Sequence, residues 1–175
     1  NLGFFTYDNF WNSNLAKKIY KKYNGFDLIF SANTISHIHN LDESLKSIKI
    51  LLNKKGTFIL EDPSLLKVIS NNAYDQFYDE HIYIFSTLAL KKILNHHKLE
   101  IFKIENVDTH GGSNRYYICR FGDKKIQKSV KKNIQEEKKS KLDKFISFKN
   151  FANRVYSSKE KLRKIFYNLE IKNKK

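Results

Sequence analysis

Apolar and polar positions along this chain follow two different periods, and the switches between them divide it into elements. Over residues 12–23, "NSNLAKKIYKKY", Leu15, Ile19 and Tyr23 recur every fourth position. That spacing predicts a short amphipathic helix, closed by Gly25. "FDLIFSAN", residues 26–33, is a nearly continuous apolar run and predicts a buried strand in a parallel sheet. Residues 41–52, "LDESLKSIKILL", return to helical spacing, with Leu45, Ile48 and Leu52 on one face and Asp42 as the cap. "GTFILEDP", residues 56–63, predicts a second buried strand, ended by the only proline. Ser86 then caps a helix running to His97. "LEIFKIENV" and "NRYYICRF" both alternate and are joined by "THGGS", the pattern of a hairpin. Beyond Phe121 helical spacing returns in pieces: Leu142, Phe145 and Phe148, then Phe151 and Val155, then Leu162, Ile165, Phe166 and Leu169.

Strands that alternate with helices build a parallel α/β sheet with helices packed on its faces, and ligands collect at the carboxyl ends of its strands. Here those ends fall after Asn33 and after Leu60. The chain therefore divides into an α/β part, residues 1–121, and a helical part, residues 122–175.

Charge sharpens that division. The formal net charge is +15, with 15 basic and 12 acidic side chains up to Phe121 against 18 and 6 after it. A basic run such as "KKIQKSVKKNIQEEKKSKLDKF" can bind nucleic acid, but it is more often a solvated helix face. Cys119 is the only cysteine, which rules out an internal disulfide or a cysteine-based zinc site. No apolar run approaches the roughly 20 residues of a membrane span. The amino-terminal stretch lacks the pattern of a signal peptide, so a cytoplasmic protein without a membrane partner is expected. The chain holds no methionine at all and reads as an excerpt from something longer.

The candidate chemistry gathers at the same strand ends. His37 follows the first strand, Glu61 and Asp62 end the second, and Tyr78, Glu80 and His81 lie in the run "YDQFYDEHIYIFS" just after it. A histidine near neutral pKa is the usual general base, a carboxylate can orient it, and a tyrosine hydroxyl or second histidine can steady an oxyanion. That set suits removal of a proton beside a carbonyl. Each member also has a plain structural alternative. A histidine at a strand end is more often structural, and Tyr74, Phe77, Tyr83 and Phe85 could be a core stripe. His37, His39 and His81 could ligate a metal, although no pair has the HExxH spacing of a zinc helix. His96 and His97 suit the negative end of their helix, and the two glycines of "HGGS" suit a turn.

The runs "FDLIFSANTISHIHNLDESL", "GTFILEDPSLL", "YDQFYDEHIYIFS" and "THGGSNRYYI" resemble consecutive blocks of the sugar C-methyltransferases, from about Gly3 to Arg120. That family acts on nucleotide-linked keto-deoxysugars with S-adenosylmethionine (SAM). The resemblance implies a class I methyltransferase sheet, which ends in such a hairpin. It implies His81 as the base, Tyr78 and His37 as groups that steady the enolate or handle its proton, and Glu80 as an orienting carboxylate. It assigns Asn33 to the cofactor and His110, Ser113 and Arg115 to the substrate, with no metal at the reacting centre. The family's zinc domain and Gly-rich SAM loop have no counterpart here, since glycine occurs only at 3, 25, 56, 111, 112 and 122. The stretch from Phe151 onward resembles the beginning of the family's C-terminal domain. The chain is thus expected to be the middle of a methyltransferase, inactive alone. A related methyltransferase with another acceptor and a non-catalytic basic binding module are the alternatives.

Overall fold

The computed structural model describes residues 3–171. Four strands form one sheet in the order β1-β2-β4-β3, where β1 is Phe26–Ala32, β2 Leu52–Pro63, β3 Leu99–Val107 and β4 Ser113–Arg120. β1 and β2 run parallel, and β4 is antiparallel to both β2 and β3. The α/β reading with a terminal hairpin therefore holds. Helices α1 (Ser13–Tyr23), α2 (Leu41–Leu51), α3 (Leu65–Ser70) and α4 (Thr87–His96) occupy the connections, and α5 (Lys128–Lys139) and α6 (Phe145–Ile171) follow the sheet.

The helix ends show why these segments start and stop where they do. The Asn12 side chain accepts the Leu15 amide, and Asn24 takes a left-handed turn that returns its N–H to the Tyr20 carbonyl. Gly25 follows at φ +87, where a Cβ would come within 2.2 Å of the Asn53 side-chain oxygen. α2 is capped by Asn40, which accepts the Glu43 amide at 3.0 Å, and not by Asp42. Asp42 lies one position inside the helix and pairs with Lys46 at 2.6 Å and with His97 at 3.1 Å. Ser86 caps α4 as its sequence predicts, accepting the Ala89 amide.

The main core packs Leu45 and Ile48 of α2 and Leu90 and Leu94 of α4 against Phe58, Leu60, Ile101, Tyr116 and Ile118 of the sheet. A smaller cluster seats Leu15, Ala16 and Ile19 of α1 on Leu51. The sequence predicts β1 as buried, and the structure corrects this. β1 is an edge strand, with Leu28 and Phe30 about 60% exposed, because only β2 pairs with it among the described residues. An apolar run reports affinity for a core and cannot say whether a neighbour covers it.

The carboxyl-terminal periodicity resolves into one continuous 27-residue helix, α6, which buries none of its residues fully. Phe151 meets Phe77 at a ring distance of 5.8 Å, and the Arg154 guanidinium donates to the Ile69 carbonyl at 2.6 Å. Residues 172–175, the end of the stretch that resembles the C-terminal domain, lie outside the described residues. α5 is more deeply built in. Val130, Asn133 and Glu137 are buried, and the Glu137 carboxylate accepts the Thr87 and Leu88 amides at the start of α4, at 2.6 and 2.9 Å. Burial pushes the Glu137 carboxyl upward, and these amides pull it back. The basic run therefore hides one acidic anchor. Among the described residues no helix is long and apolar enough to cross a membrane.

Candidate active site

The site begins where β1 stops. Asn33 turns left-handed at φ 46 and gives its N–H to the Glu61 carbonyl at 2.9 Å, so the chain leaves the sheet at the carboxyl ends of β1 and β2. A single 3-10 turn, Ile35–His37, follows. Ser36 inside it is fully buried and joins two segments. Its hydroxyl donates to Asp62 Oδ1 at 2.7 Å, and its carbonyl accepts the amides of Ile82 and Tyr83 at 3.0 and 3.2 Å. The loop after β1 is thereby pinned to the segment after β2, and the His37 and His81 rings meet edge to face at 5.0 Å.

His81 is held by both ring nitrogens. Nδ1 lies 2.9 Å from the Gln76 carbonyl, which can only accept, so Nδ1 carries the hydrogen. In the neutral ring Nε2 then bears the lone pair, and it accepts from the Tyr78 hydroxyl at 3.0 Å. The Tyr78 ring lies over the imidazole, with centroids 4.1 Å apart. This is the tautomer a base requires, with the electron pair on the nitrogen bonded to the Tyr78 hydroxyl and not on the one bonded to the backbone. Glu80 takes a looser place. Its carboxylate is 76% exposed and stands 4.0 Å from His37 Nδ1, with no hydrogen bond to His81. His37 Nε2 is buried without a partner among the described residues.

A second group of side chains lies beside the hairpin turn. His110 adopts the left-handed region at φ 52, and its Nε2 is 2.7 Å from the Asn33 carboxamide nitrogen. The residue assigned to the cofactor and the first residue assigned to the substrate thus touch. Arg115 donates from Nε and Nη2 to Glu61 Oε2, both at 2.8 Å, and Thr109 adds a bond to Oε1. Ser113 is fully buried and gives its hydroxyl to the Thr109 carbonyl at 3.0 Å, which closes the turn. At the end of β1, Ser31 Oγ and Asn33 Oδ1 are buried with no partner among the described residues. Beside them a hollow of about 330 Å³ is lined by Trp11, Ile29, Phe30, Thr34 and Ile38. No three metal-ligating side chains cluster among the described residues.

Two groups carry more than the sequence assigns to them. Ser36 has no motif that marks it, and Asp62 is legible only as a polar strand end. Asp62 is 1% exposed, and burial pushes its carboxyl up to about 6, against the pull of the Ser36 hydroxyl and of His81. Its folded pKa lies above the unfolded value of 3.8, so the folded state binds this proton more tightly. The stability this contributes is fully present below pH 3.8 and is lost as pH rises through about 6. Asp62→Asn should flatten that part of the stability curve, as urea unfolding at pH 5 and pH 7.5 would record. A loss of the same size at both pH values would contradict it. Cys119 is inert by comparison, since burial pushes its thiol up to about 11.

With this geometry in place, known proteins place the chain. A family model described as a methyltransferase domain matches residues 4–104, more than half of the length. This chain belongs to that methyltransferase family. A second model, described as a C-methyltransferase C-terminal domain, matches residues 108–175. Among curated relatives, the C-methyltransferase NovU of Streptomyces niveus is 26% identical over 126 residues, which is 71% of this chain and 30% of NovU. The methyltransferase chain thus spans less than a third of that relative. Among solved structures, a SAM-dependent methyltransferase from Anabaena variabilis aligns over 63% of this chain and 55% of its own, with a TM-score of 0.47 and 14% identity. The O-methyltransferase of a trans-AT PKS multienzyme from Brevibacillus brevis, in complex with S-adenosyl-L-homocysteine, aligns over 82% and 66%, with a TM-score of 0.46 and 13% identity.

Proposed function

We propose that this chain is the catalytic part of a C-methyltransferase that methylates the carbon beside the ketone of a nucleotide-linked keto-deoxysugar, with SAM as cofactor. The observation that carries the reading is the state of His81, whose Nδ1 hydrogen is fixed on the Gln76 carbonyl while Nε2 keeps its lone pair. The match to a C-methyltransferase C-terminal domain and the likeness to NovU support transfer to carbon. The resemblance of residues 74–86 and 109–118 to the sugar C-methyltransferases supports the acceptor class.

SAM, when bound, supplies an electrophilic methyl group. Ser31 and Asn33 fit one side of its site, because their unpartnered oxygens stand beside the apolar hollow at the end of β1. His81 Nε2 takes the proton from the carbon beside the ketone. Nε2 has one lone pair, so the Tyr78 hydroxyl must first turn from it to the ketone oxygen, where it remains the donor to the enolate oxygen. His37, whose ring lies 5.0 Å from that of His81, is the second group within reach of the transferred proton, and the Glu80 carboxylate stands 4.0 Å from its Nδ1. Arg115 and His110 at the hairpin turn are the groups we assign to the substrate, with Ser113 shaping that turn from within. The division into a methyltransferase part, 1–121, and the start of a C-terminal domain, 122–175, belongs to the same proposal, with α5 as the joint between them.

Two outcomes check it. Tyr78→Phe in the complete protein should cost about tenfold in turnover, the worth of one hydrogen bond made to the enolate, and an unchanged rate would remove Tyr78 from the mechanism. The 175-residue chain alone should bind SAM more weakly than about 1 mM, since its six glycines, at 3, 25, 56, 111, 112 and 122, form no Gly-rich loop to cradle the cofactor. Micromolar binding by calorimetry would place the cofactor elsewhere.

A further inference from the structure

One face of α6 closes a polar pocket that takes no part in the chemistry at His81. Its volume is about 450 Å³, and Asn72, Asn153, Arg154, Ser157, Ser158 and Lys161 line it. All but Asn72 come from α6, at spacings that put them on one side of the helix. Three contacts hold that side over the turn after α3. Phe151 packs on Phe77, the Arg154 guanidinium donates to the Ile69 carbonyl, and the Ser158 hydroxyl stands 3.4 Å from that of Tyr74. Asn72, left-handed at φ 56, forms the opposite wall. Its neighbour Asn71 donates its carboxamide to the Gly111 carbonyl at 3.1 Å, and Tyr74 begins the run that carries Tyr78 and His81. The turn is thus bonded on one side to the hairpin turn of the candidate site and on the other to α6.

The lining chemistry suits an anion with polar edges. Arg154 and Lys161 bring two cations, Ser157 and Ser158 two hydroxyls, and the asparagines two carboxamides. No acidic side chain is among them, and the acid nearest in sequence, Glu160, pairs with Arg163 at 3.3 Å. Arg154 spends one donor on Ile69 and keeps the others for a ligand. Unopposed positive charge with converging guanidinium and hydroxyl donors is the chemistry that holds phosphate oxygens. We propose that this pocket binds the diphosphate of a nucleotide. Arg154 and Lys161 take the phosphate charges, Ser157 and Ser158 donate to phosphate oxygens, and the asparagine carboxamides meet the polar edge of the nucleoside. That the nucleotide carries the methyl acceptor rests on the reading of the chain as a nucleotide-sugar C-methyltransferase, whereas binding of the diphosphate stands without it. α6 then holds the part of the substrate that does not react.

Nuclear magnetic resonance on the 175-residue chain at low salt reads the binding without any turnover. Uridine diphosphate should move the amide signals of Asn72 and of residues 153–161, with a Kd of about 0.1–1 mM. Uridine alone should leave them in place, and inorganic pyrophosphate should move them with weaker affinity. Lys161→Glu should weaken uridine diphosphate binding about tenfold, while Lys131→Glu, on α5 and outside the pocket, should leave it nearly unchanged. Both lysines are exposed, so neither change disturbs the fold. No shift at about 10 mM uridine diphosphate overturns the proposal. Equal losses from the two variants overturn it too, since they would mean general attraction to a basic chain, and so does equal binding of uridine. Pyrophosphate bound as tightly as uridine diphosphate overturns the assignment to a nucleotide. If the chain proved not to methylate a sugar carbon, uridine diphosphate would still bind here, so the two failures are distinguishable.

Discussion

His81→Asn in the complete protein should lower turnover by about 10²–10⁴-fold, the usual contribution of a positioned general base, and leave SAM affinity nearly unchanged. Asparagine can reproduce the bond to the Gln76 carbonyl through its amide, but it has no nitrogen that accepts a proton at neutral pH. The loss should therefore fall on the chemical step. His37→Asn should cost less, because His37 Nε2 is buried and 5.0 Å separates its ring from that of His81. Steady-state kinetics and SAM titration on the same preparations separate the two effects. A His81→Asn enzyme with normal turnover, or one that fails only through lost SAM affinity, would contradict the assignment.

Glu137→Ala should destabilise the fold by about 2–4 kcal/mol, the largest loss expected from any single change outside the main core. Two amides at the start of α4 lose their acceptor in one step, that of Thr87 fully buried and that of Leu88 part-buried. Asn133 and Thr87 then lose a neighbour in the same buried polar group, which continues through the Tyr116 hydroxyl to Asn114. Glu137→Gln keeps one acceptor oxygen and should lose about half as much. Urea unfolding of the three proteins measures it. Equal stability of all three would mean that α5 is not held to the sheet by this side chain.

The sheet was legible because its strands carry their own period. Phe26 to Ala32 and the stretch before Pro63 read as apolar runs, and the two alternating strands around "THGGS" read as a hairpin. Burial was less legible than strand identity. The apolar character of Leu28 and Phe30 is the same whether or not a neighbour pairs with β1. Caps are ambiguous at one-residue precision, and Asn40 and Asp42 both suit the role by type. The histidines of the candidate site stood out because histidine, glutamate and tyrosine adjoin one another in a short run. Ser36 did not, since a serine that bridges two segments looks like any serine in a loop. Glu137 was hidden among lysines, and only packing reveals that it faces inward. Asp62 showed its position but not its isolation, which comes from Arg115 lying on the other face of β2.

Exchange of the substrate's own proton isolates the step on which the whole account turns. In deuterated water, without SAM, the complete protein should exchange the hydrogen on the carbon beside the ketone of a nucleotide-linked keto-deoxysugar. The His81→Asn protein, shown to be folded, should exchange it about 10²–10⁴-fold more slowly. Exchange at the same rate in both proteins would show that His81 is not the base.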